Sequence, residues 1–294
     1  MSLNIYTIAK GYYDWLFRRR IARTSPGQML VFYIIVGVIA FVSVYPFYVM
    51  VRASLLPTGE LYSLPPNIFV NEIVLSHYTS LSTKAFPFFT FMLNSFIVAL
   101  VTATLSTVLA IFGAYSFARL EYPGREIFSV GVIVVYMFSG ILLVVPLFQV
   151  LLSLNLVNTR IGIILTHMVL TLPLTLYILR NYFRSVPPEI EEAAIVDGYS
   201  RIEVIFRIML PMSLPAIASG FVYAFLISWN EYLFASIILK SKTLYTVPFG
   251  IQQISLTTMD NIMGQLMAAS VISTLPVIIL FYYMQTYIGE GIGY

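Results

Sequence analysis

Apolar residues in this chain fall into six long blocks, separated by polar or proline-bearing stretches. The blocks are Met29–Val51, Phe91–Ala118, Ile127–Leu152, Ile161–Phe183, Leu214–Leu239 and Gln265–Ile288. Each exceeds the roughly 20 residues that a helix rising about 1.5 Å per residue needs to cross a hydrocarbon core of about 30 Å. No Asp, Glu, Lys or Arg stands near the middle of any block. The pattern predicts an all-α, polytopic membrane protein with six transmembrane helices. The first block is too long for a signal peptide, and no small-residue cleavage site follows it, so it is read as a retained span.

The connection between the fourth and fifth blocks carries the sharpest local pattern. Ser185-Val186-Pro187-Pro188 predicts a helix start, with proline just inside it. Glu189, Glu191 and Glu192 then occupy the first turn, where negative charge suits the helix dipole. Ile190, Ala193 and Ala194 share a face at helical spacing. The run stops at Asp197-Gly198, glycine being the residue that accepts a left-handed helix end. Ser200-Arg201-Ile202-Glu203 reads as a capping box that starts a second helix. On it Ile202, Ile205, Phe206 and Met209 are expected to form one face, with Glu203 and Arg207 paired on the other and Pro211 at the end. Two short amphipathic helices joined at a glycine elbow make a docking shape.

Composition agrees with lipid as the solvent. Of 294 residues 59% are apolar and 10% charged, against about 25% charged in a soluble domain. Of the 22 Phe and 21 Tyr many lie near the block ends, where an interfacial belt belongs. There is no Cys, which excludes disulfides and thiolate metal sites. The net charge of +3 gains meaning only when mapped onto topology. With the N-terminus inside, eleven basic residues face the cytoplasm: Lys10, Arg18, Arg19, Arg20, Arg23, Arg119, Arg125, Arg180, Arg184, Arg201 and Arg207. Five face out: Arg52, Lys84, Arg160, Lys240 and Lys242. That bias predicts N-in, C-in and puts the elbow inside the cell. Tyr12-Tyr13-Asp14-Trp15-Leu16-Phe17-Arg18-Arg19-Arg20 reads as an anchor lying on the inner lipid surface, a specific lipid or partner site being the other reading. The outer connections are 52–90, 153–160 and 240–264; in the first, Pro57, Pro65, Pro66 and Pro87 argue against a continuous helix.

Here the residues resemble a known family. Glu192-Ala193-Ala194, Gly198 and Ile208-Met209-Leu210-Pro211, at these spacings, match the EAA loop of binding-protein-dependent ABC importer permeases. At residue frequencies of about 5–10% each, such a match arises by chance roughly once in 10⁸ windows. The chain is most similar to the smaller permease subunit of maltose-type importers. Ser54-Leu55-Leu56-Pro57 with Thr58-Gly59-Glu60, Asn94-Ser95, Ala114-Tyr115-Ser116-Phe117-Ala118-Arg119-Leu120 with Pro123-Gly124-Arg125, and Ser228-Trp229-Asn230-Glu231-Tyr232 support this by their order. Two departures stand against it: His77-Tyr78 replaces an Asn-Tyr pair, and the family's Gly-rich basic tail has no counterpart in Gly289-Glu290-Gly291-Ile292-Gly293-Tyr294, so a tail contact is not carried over.

The resemblance implies a type I ABC importer permease fold: a cytoplasmic segment 1–28, a transmembrane permease domain 29–288 (core 91–288, coupling loop 185–211) and a short cytoplasmic tail 289–294. It implies two separate ATPase subunits that hold ATP and Mg, a homologous second permease, and an extracytoplasmic sugar-binding protein. No cofactor and no nucleic acid is expected for this chain itself. Glu191, Glu192, Ala193, Ala194, Asp197, Gly198, Arg201, Phe206, Leu210 and Pro211 would couple to the ATPase. Tyr245, Gln252, Gln253, Asp260 and Asn261, in the last outer loop, are candidates to touch the binding protein; an ordinary solvated loop is the other reading. Asn94, Gln149, Thr171, Ser228 and Asn230 either line a pathway or hydrogen-bond between helices.

Other classes are tested by what the chain carries. There is no Gly-x-x-x-x-Gly-Lys-[Ser/Thr] phosphate loop, so energy is expected from a partner. An ion-coupled secondary transporter is the alternative, but its ionisable midplane groups are wanting. Glu231 lies 16 residues beyond Pro215, about 24 Å along the fifth span, near the outer surface. His167 is the lone membrane histidine and reads as a satisfied hydrogen-bonding residue. A permease for a non-sugar solute remains open, with maltose, maltodextrin or trehalose the leading substrates.

Overall fold

The computed structural model describes residues 26–63, 72–83, 86–257 and 262–290. The N-terminal basic and aromatic stretch, Lys84, Asp260, Asn261 and residues 291–294 lie outside them. Two units separate, Met1–Ala53 and Ser54–Tyr294. Helix α1 (Pro26–Leu55) occupies most of what is described of the first. Its apolar side chains are exposed around the whole helix, from Leu30 to Tyr48. A helix apolar on every face has no stable place in water and is built for a lipid or protein surround.

The second unit is helical throughout its described residues apart from turns and an isolated bridge between Ser82 and Pro87. The region after the first block breaks into short pieces, as its prolines require: a single turn at Glu60–Tyr62 and α2 (Ser76–Ser80). Helices α3 (Phe88–Arg119) and α6 (Arg160–Ser185) form the most extensive contact, and α9 (Leu214–Asn230) packs on both. Their interface alternates small and hydroxyl residues, with Ala99, Ala103, Ala110, Thr102 and Ser106 of α3 buried. Small side chains let helices approach where lipid supplies no hydrophobic drive between them. Helix α12 (Met263–Glu290) lies on α9.

Among the described residues four helices (α1, α3, α6, α12) are each long and apolar enough to cross a membrane, and two bent pairs bring the total to as many as six. The third block is one such pair rather than a straight span: α4 (Arg125–Met137) and α5 (Gly140–Ser153) meet at 105°. Phe138 and Ser139 are extended there, and the Ser139-Gly140 step gives the helix little reason to continue. The fifth block is also interrupted. Helix α9 stops at Asn230, Glu231 is extended, and α10 (Leu233–Ile238) begins anew. The stretch Lys240–Gly264, expected as a loop, is largely ordered into a turn at Lys242–Leu244 and α11 (Val247–Thr257). Gly250 explains how α11 fits: a Cβ at this position would clash with the ring of Phe91 on α3, at its Cδ2.

Candidate functional site

Between α6 and α9 the chain folds as the local signals predict. Helix α7 (Pro188–Val196) starts with proline in its first turn, and Glu189 and Glu191 stand there too. It ends at Asp197, and Gly198 turns the chain at φ +91°, a conformation that costs an L-residue about 1–2 kcal/mol. No atom lies within 4 Å of where a Cβ would sit on Gly198, so backbone angle and not crowding demands glycine. The amides of Gly198 and Tyr199 close the end on the carbonyls of Ile195 and Ala194. The second helix, α8 (Arg201–Met212), opens with a complete capping box: the Glu203 amide donates to Ser200 Oγ at 3.3 Å, and the Ser200 amide to Glu203 Oε2 at 2.9 Å. The Ser200 amide and hydroxyl hold the Glu203 carboxyl below the usual carboxylate range. Arg207 pairs with Glu203 at 3.6 Å and sits over the Tyr199 ring. Residues Ile205–Met209 widen into a π turn, and an 82° corner at Ser213 leads into α9.

The buried faces differ from those expected. On α7 it is Glu191 and Ala194 that turn inward, while Ile190 and Ala193 are exposed. On α8 Val204, Ile205 and Met209 are buried, whereas Ile202 and Phe206 stand out. The buried face of α8 is centred on Val204, Ile205 and Met209, so of the four residues grouped by the plain helical count only Ile205 and Met209 lie on it. The inward residues join Ala110, Ile111, Ala114, Leu179 and Phe183 in one cluster with α3 and α6.

Glu191 is the anchor of this arrangement. Its carboxylate accepts a hydrogen bond from the Tyr115 hydroxyl and lies 3.3 Å from Arg119 Nε, both on α3. Arg119 also donates to the Val186 carbonyl at 2.6 Å, fastening the approach to α7. A charge left alone in such a place is costly, so the pair and its added hydrogen bonds hold each other. The ten coupling candidates therefore divide. Glu192, Ala193, Asp197, Gly198, Arg201, Phe206 and Pro211 are exposed, Leu210 is half-buried, and Glu191 and Ala194 face the bundle. Around them Val196 and Ile202 are also exposed, giving the elbow an outer edge both acidic and apolar. Tyr115 and Arg119 carried no local signal of this role, because nothing within their own helix points to a partner so distant in sequence.

The other candidates spread through the unit. Asn94 is buried and saturated: it donates to the carbonyls of Thr243 and Tyr245 and accepts from Arg160 at 2.9 Å. Thr171 is fully buried against Ser106 at 2.8 Å. Ser228 is buried 2.7 Å from His167 Nδ1. These three take part in hydrogen bonds between helices, while Gln149 and Asn230 are exposed. Tyr245 is half-buried and stacks near Phe91 and Phe249, Gln252 is exposed and Gln253 half-buried. His167 is satisfied, as expected, but not alone. Its Nε2 lies 3.0 Å from Glu231 Oε2, and Glu231 also accepts from the amides of Phe234 and Ala235, capping α10. Among the described residues no group of three or more His, Asp or Glu is placed to hold a metal ion.

A lipid-facing helical bundle with an anchored elbow between two of its apolar blocks is the architecture of an importer permease. A solved bacterial ABC transporter involved in the import of the acidic polysaccharide alginate has the same fold: its chain matches 90% of this one and is itself covered to 98%, with TM-score 0.77 at 22% identity. The chain belongs to the binding-protein-dependent transport system inner membrane component family, which it matches over residues 28–294. It is 38% identical to the inner membrane ABC transporter permease protein YcjP of Escherichia coli K12, over 89% of this chain and 93% of that one. It is 33% identical to the trehalose/maltose transport system permease protein MalG of Thermococcus litoralis, over 88% and 94%. With the diacetylchitobiose uptake system permease protein DasC of Streptomyces coelicolor it shares 31%, over 85% and 91%. The protein is a multi-pass membrane permease component of a binding-protein-dependent transport system, and not an enzyme.

Proposed function

We propose that this permease moves a small oligosaccharide across the cell membrane, driven by ATP that two separate ATPase subunits bind with Mg and hydrolyse. A homologous second permease completes the pathway, and an extracytoplasmic sugar-binding protein delivers the substrate. Both termini and residues 185–211 lie in the cytoplasm. The observation that carries this reading is the elbow at Gly198, whose inner face is tied to α3 while its outer edge, with Glu192, Val196, Asp197 and Ile202, is left exposed. A surface of that kind, rigid behind and unpartnered in front, transmits force from whatever seats on it. The relatives named for diacetylchitobiose and trehalose/maltose support the oligosaccharide class.

The exposed Tyr232 and Gln252 and the half-buried Tyr245 and Gln253 offer polar and aromatic groups to the binding protein, Asp260 and Asn261 extending the same stretch in sequence. Gln149 and Asn230 are the candidates left to meet solute. Reconstitution with the cognate permease, ATPase and binding protein tests the whole. Sugar-loaded binding protein should stimulate ATP hydrolysis and sugar uptake into liposomes together. Uptake by this chain alone, driven by an ion gradient without ATP, would overturn it. So would labelling that places residues 185–211 outside.

A further inference from the structure

We propose that the arginine cluster around Glu126 binds the phosphate of an anionic phospholipid headgroup. Three guanidinium groups converge on that one carboxylate. Arg184 donates to Glu126 Oε1 at 3.0 Å, Arg125 to the same oxygen at 3.2 Å, and Arg180 to Oε2 at 3.2 Å. One negative charge faces three positive ones. A guanidinium has five N–H donors and a carboxylate about four acceptor sites, so most donors here have no acceptor in the cluster. One spare donor of Arg125 finds the Leu120 carbonyl at 3.2 Å. The Arg180 Nε does not: its side chain is 9% exposed, and that nitrogen is buried without a hydrogen-bond partner. The rest of the cluster is open, with the Arg184 and Glu126 side chains 41% and 58% exposed; three cations sharing one carboxylate attract a further anion from outside, and phosphate is well matched to arginine forks.

The surroundings choose the lipid. An open cavity of about 410 Å³ lies beside the cluster, lined by Glu121, Tyr122, Gly124, Arg125, Glu126 and Ile127. Glu121, exposed, is the other acid there; set with Glu126 against Arg125, Arg180 and Arg184 it leaves the whole cluster at +1, with Arg125 the arginine that lines the cavity itself. Directly along α4 from Arg125 and Glu126 stand Ile127, 77% exposed, and Phe128, 64% exposed, followed by Val130. Cationic groups at the start of an exposed apolar helix match a phospholipid at both ends, headgroup and chain. A free phosphate would use the arginines and leave the apolar residues without a role. Nothing in this inference depends on which solute is carried.

The full chain, purified in detergent, tests it by native mass spectrometry and by thermal unfolding. The probes are phosphatidylglycerol, phosphatidylcholine and inorganic phosphate. Wild type should retain phosphatidylglycerol over phosphatidylcholine, and inorganic phosphate should not raise its melting temperature. Arg184→Gln should weaken that preference about fivefold, the worth of one basic contact at an anionic surface. Glu126→Gln removes the competing carboxylate and should strengthen it, while Lys240→Gln should leave it unchanged. The opposite signs guard against a variant that merely misfolds. Equal retention by wild type and Arg184→Gln would overturn the proposal. Full protection by inorganic phosphate would show a free-anion site instead, and loss of the preference in the assembled transporter would show an acidic protein segment as the occupant; either overturns the lipid assignment.

Discussion

Replacing Glu191 with alanine should loosen α7 from the bundle without altering the elbow's outer edge. The substitution removes the acceptor of the Tyr115 hydroxyl and the counter-charge of Arg119, whose side chain is only 10% exposed. At 3.3 Å the gross attraction is about 5 kcal/mol at an effective dielectric of about 20. Desolvation offsets part of this, and breaking a buried pair from one side costs about 3–5 kcal/mol. Arg119 keeps the Val186 carbonyl, so the lower value, about 3 kcal/mol, is expected, a factor of roughly 150 in local opening. Hydrogen exchange reads this directly at the amides of Asp197 and Tyr199, which bond to the carbonyls of Ala193 and Ala194. Their exchange should quicken by about two orders of magnitude. Glu191→Gln keeps a partner for Tyr115 and should cost about half as much. Glu192→Ala, on the exposed side, should stay within about twofold. A change below about threefold in the Glu191→Ala protein would refute the anchoring role.

Gly198→Val should abolish stimulated ATP hydrolysis in the reconstituted complex while membrane insertion is kept; Gly198→Asn, which tolerates positive φ, should retain much of it, and equal activity of the valine protein would refute the elbow. Gly250→Ala should lower thermal stability by about 1–3 kcal/mol through overpacking on Phe91, and Phe91→Leu should recover part of that loss; if the double variant is no better than Gly250→Ala alone, the clash is not the cause. His167→Ala should cost about 2 kcal/mol in detergent unfolding, because Ser228 and Glu231 each lose a buried partner, and His167→Gln should restore part of it; an unchanged melting curve would show that the hydrogen bonds of His167 to Ser228 and Glu231 do not stabilise the fold. The Glu203 carboxyl is held below its ordinary range, so its capping contribution is complete at neutral pH and is lost as pH falls through that lowered value; Glu203→Gln should remove this acid sensitivity from exchange at α8, and an identical pH profile would refute it.

Block lengths, the capping box and the glycine elbow were legible because each depends on neighbours a few residues away. Hydrophobic runs fixed where the long helices lie to within a few residues, and Ser200 with Glu203 marked a helix start that the structure repeats. What stayed hidden depends on partners far along the chain or on departures from ideal geometry. The bend between α4 and α5 follows from two extended residues inside a continuous apolar run, which hydropathy cannot distinguish from a straight span. The inward turn of Glu191 needs Arg119 and Tyr115, and a charged residue in a first helical turn reads as solvated until they are found. Of the residues that helical spacing groups on one face of α8, Ile205 and Met209 are buried while Ile202 and Phe206 are exposed, a division set by what α3 and α6 cover rather than by spacing within α8.

Glu231 shows the same effect with a larger consequence. Measured along a straight helix it falls near the end of its span, where a carboxylate is cheaply hydrated. The helix in fact stops one residue earlier, and the carboxylate turns back to receive two amides of α10 and the imidazole of His167. A break inside an apolar span leaves backbone donors without partners, and in lipid these must be met from within the protein. Glu231 meets two of them, and His167 holds the carboxylate on α6. Asn94 does similar work where α3 begins, donating to the carbonyls of Thr243 and Tyr245 while it accepts from Arg160 at the start of α6. Glu191 and Arg119 fasten α7 at the elbow. In each case polar groups tie an interruption or a short helix to the α3–α6 pair, whose own contact is made of small, apolar and hydroxyl residues. On the function proposed above, a push on the elbow would be delivered to α3 through Glu191 and Arg119, and the broken segments, held by their own links, would move with the pair rather than absorb the displacement.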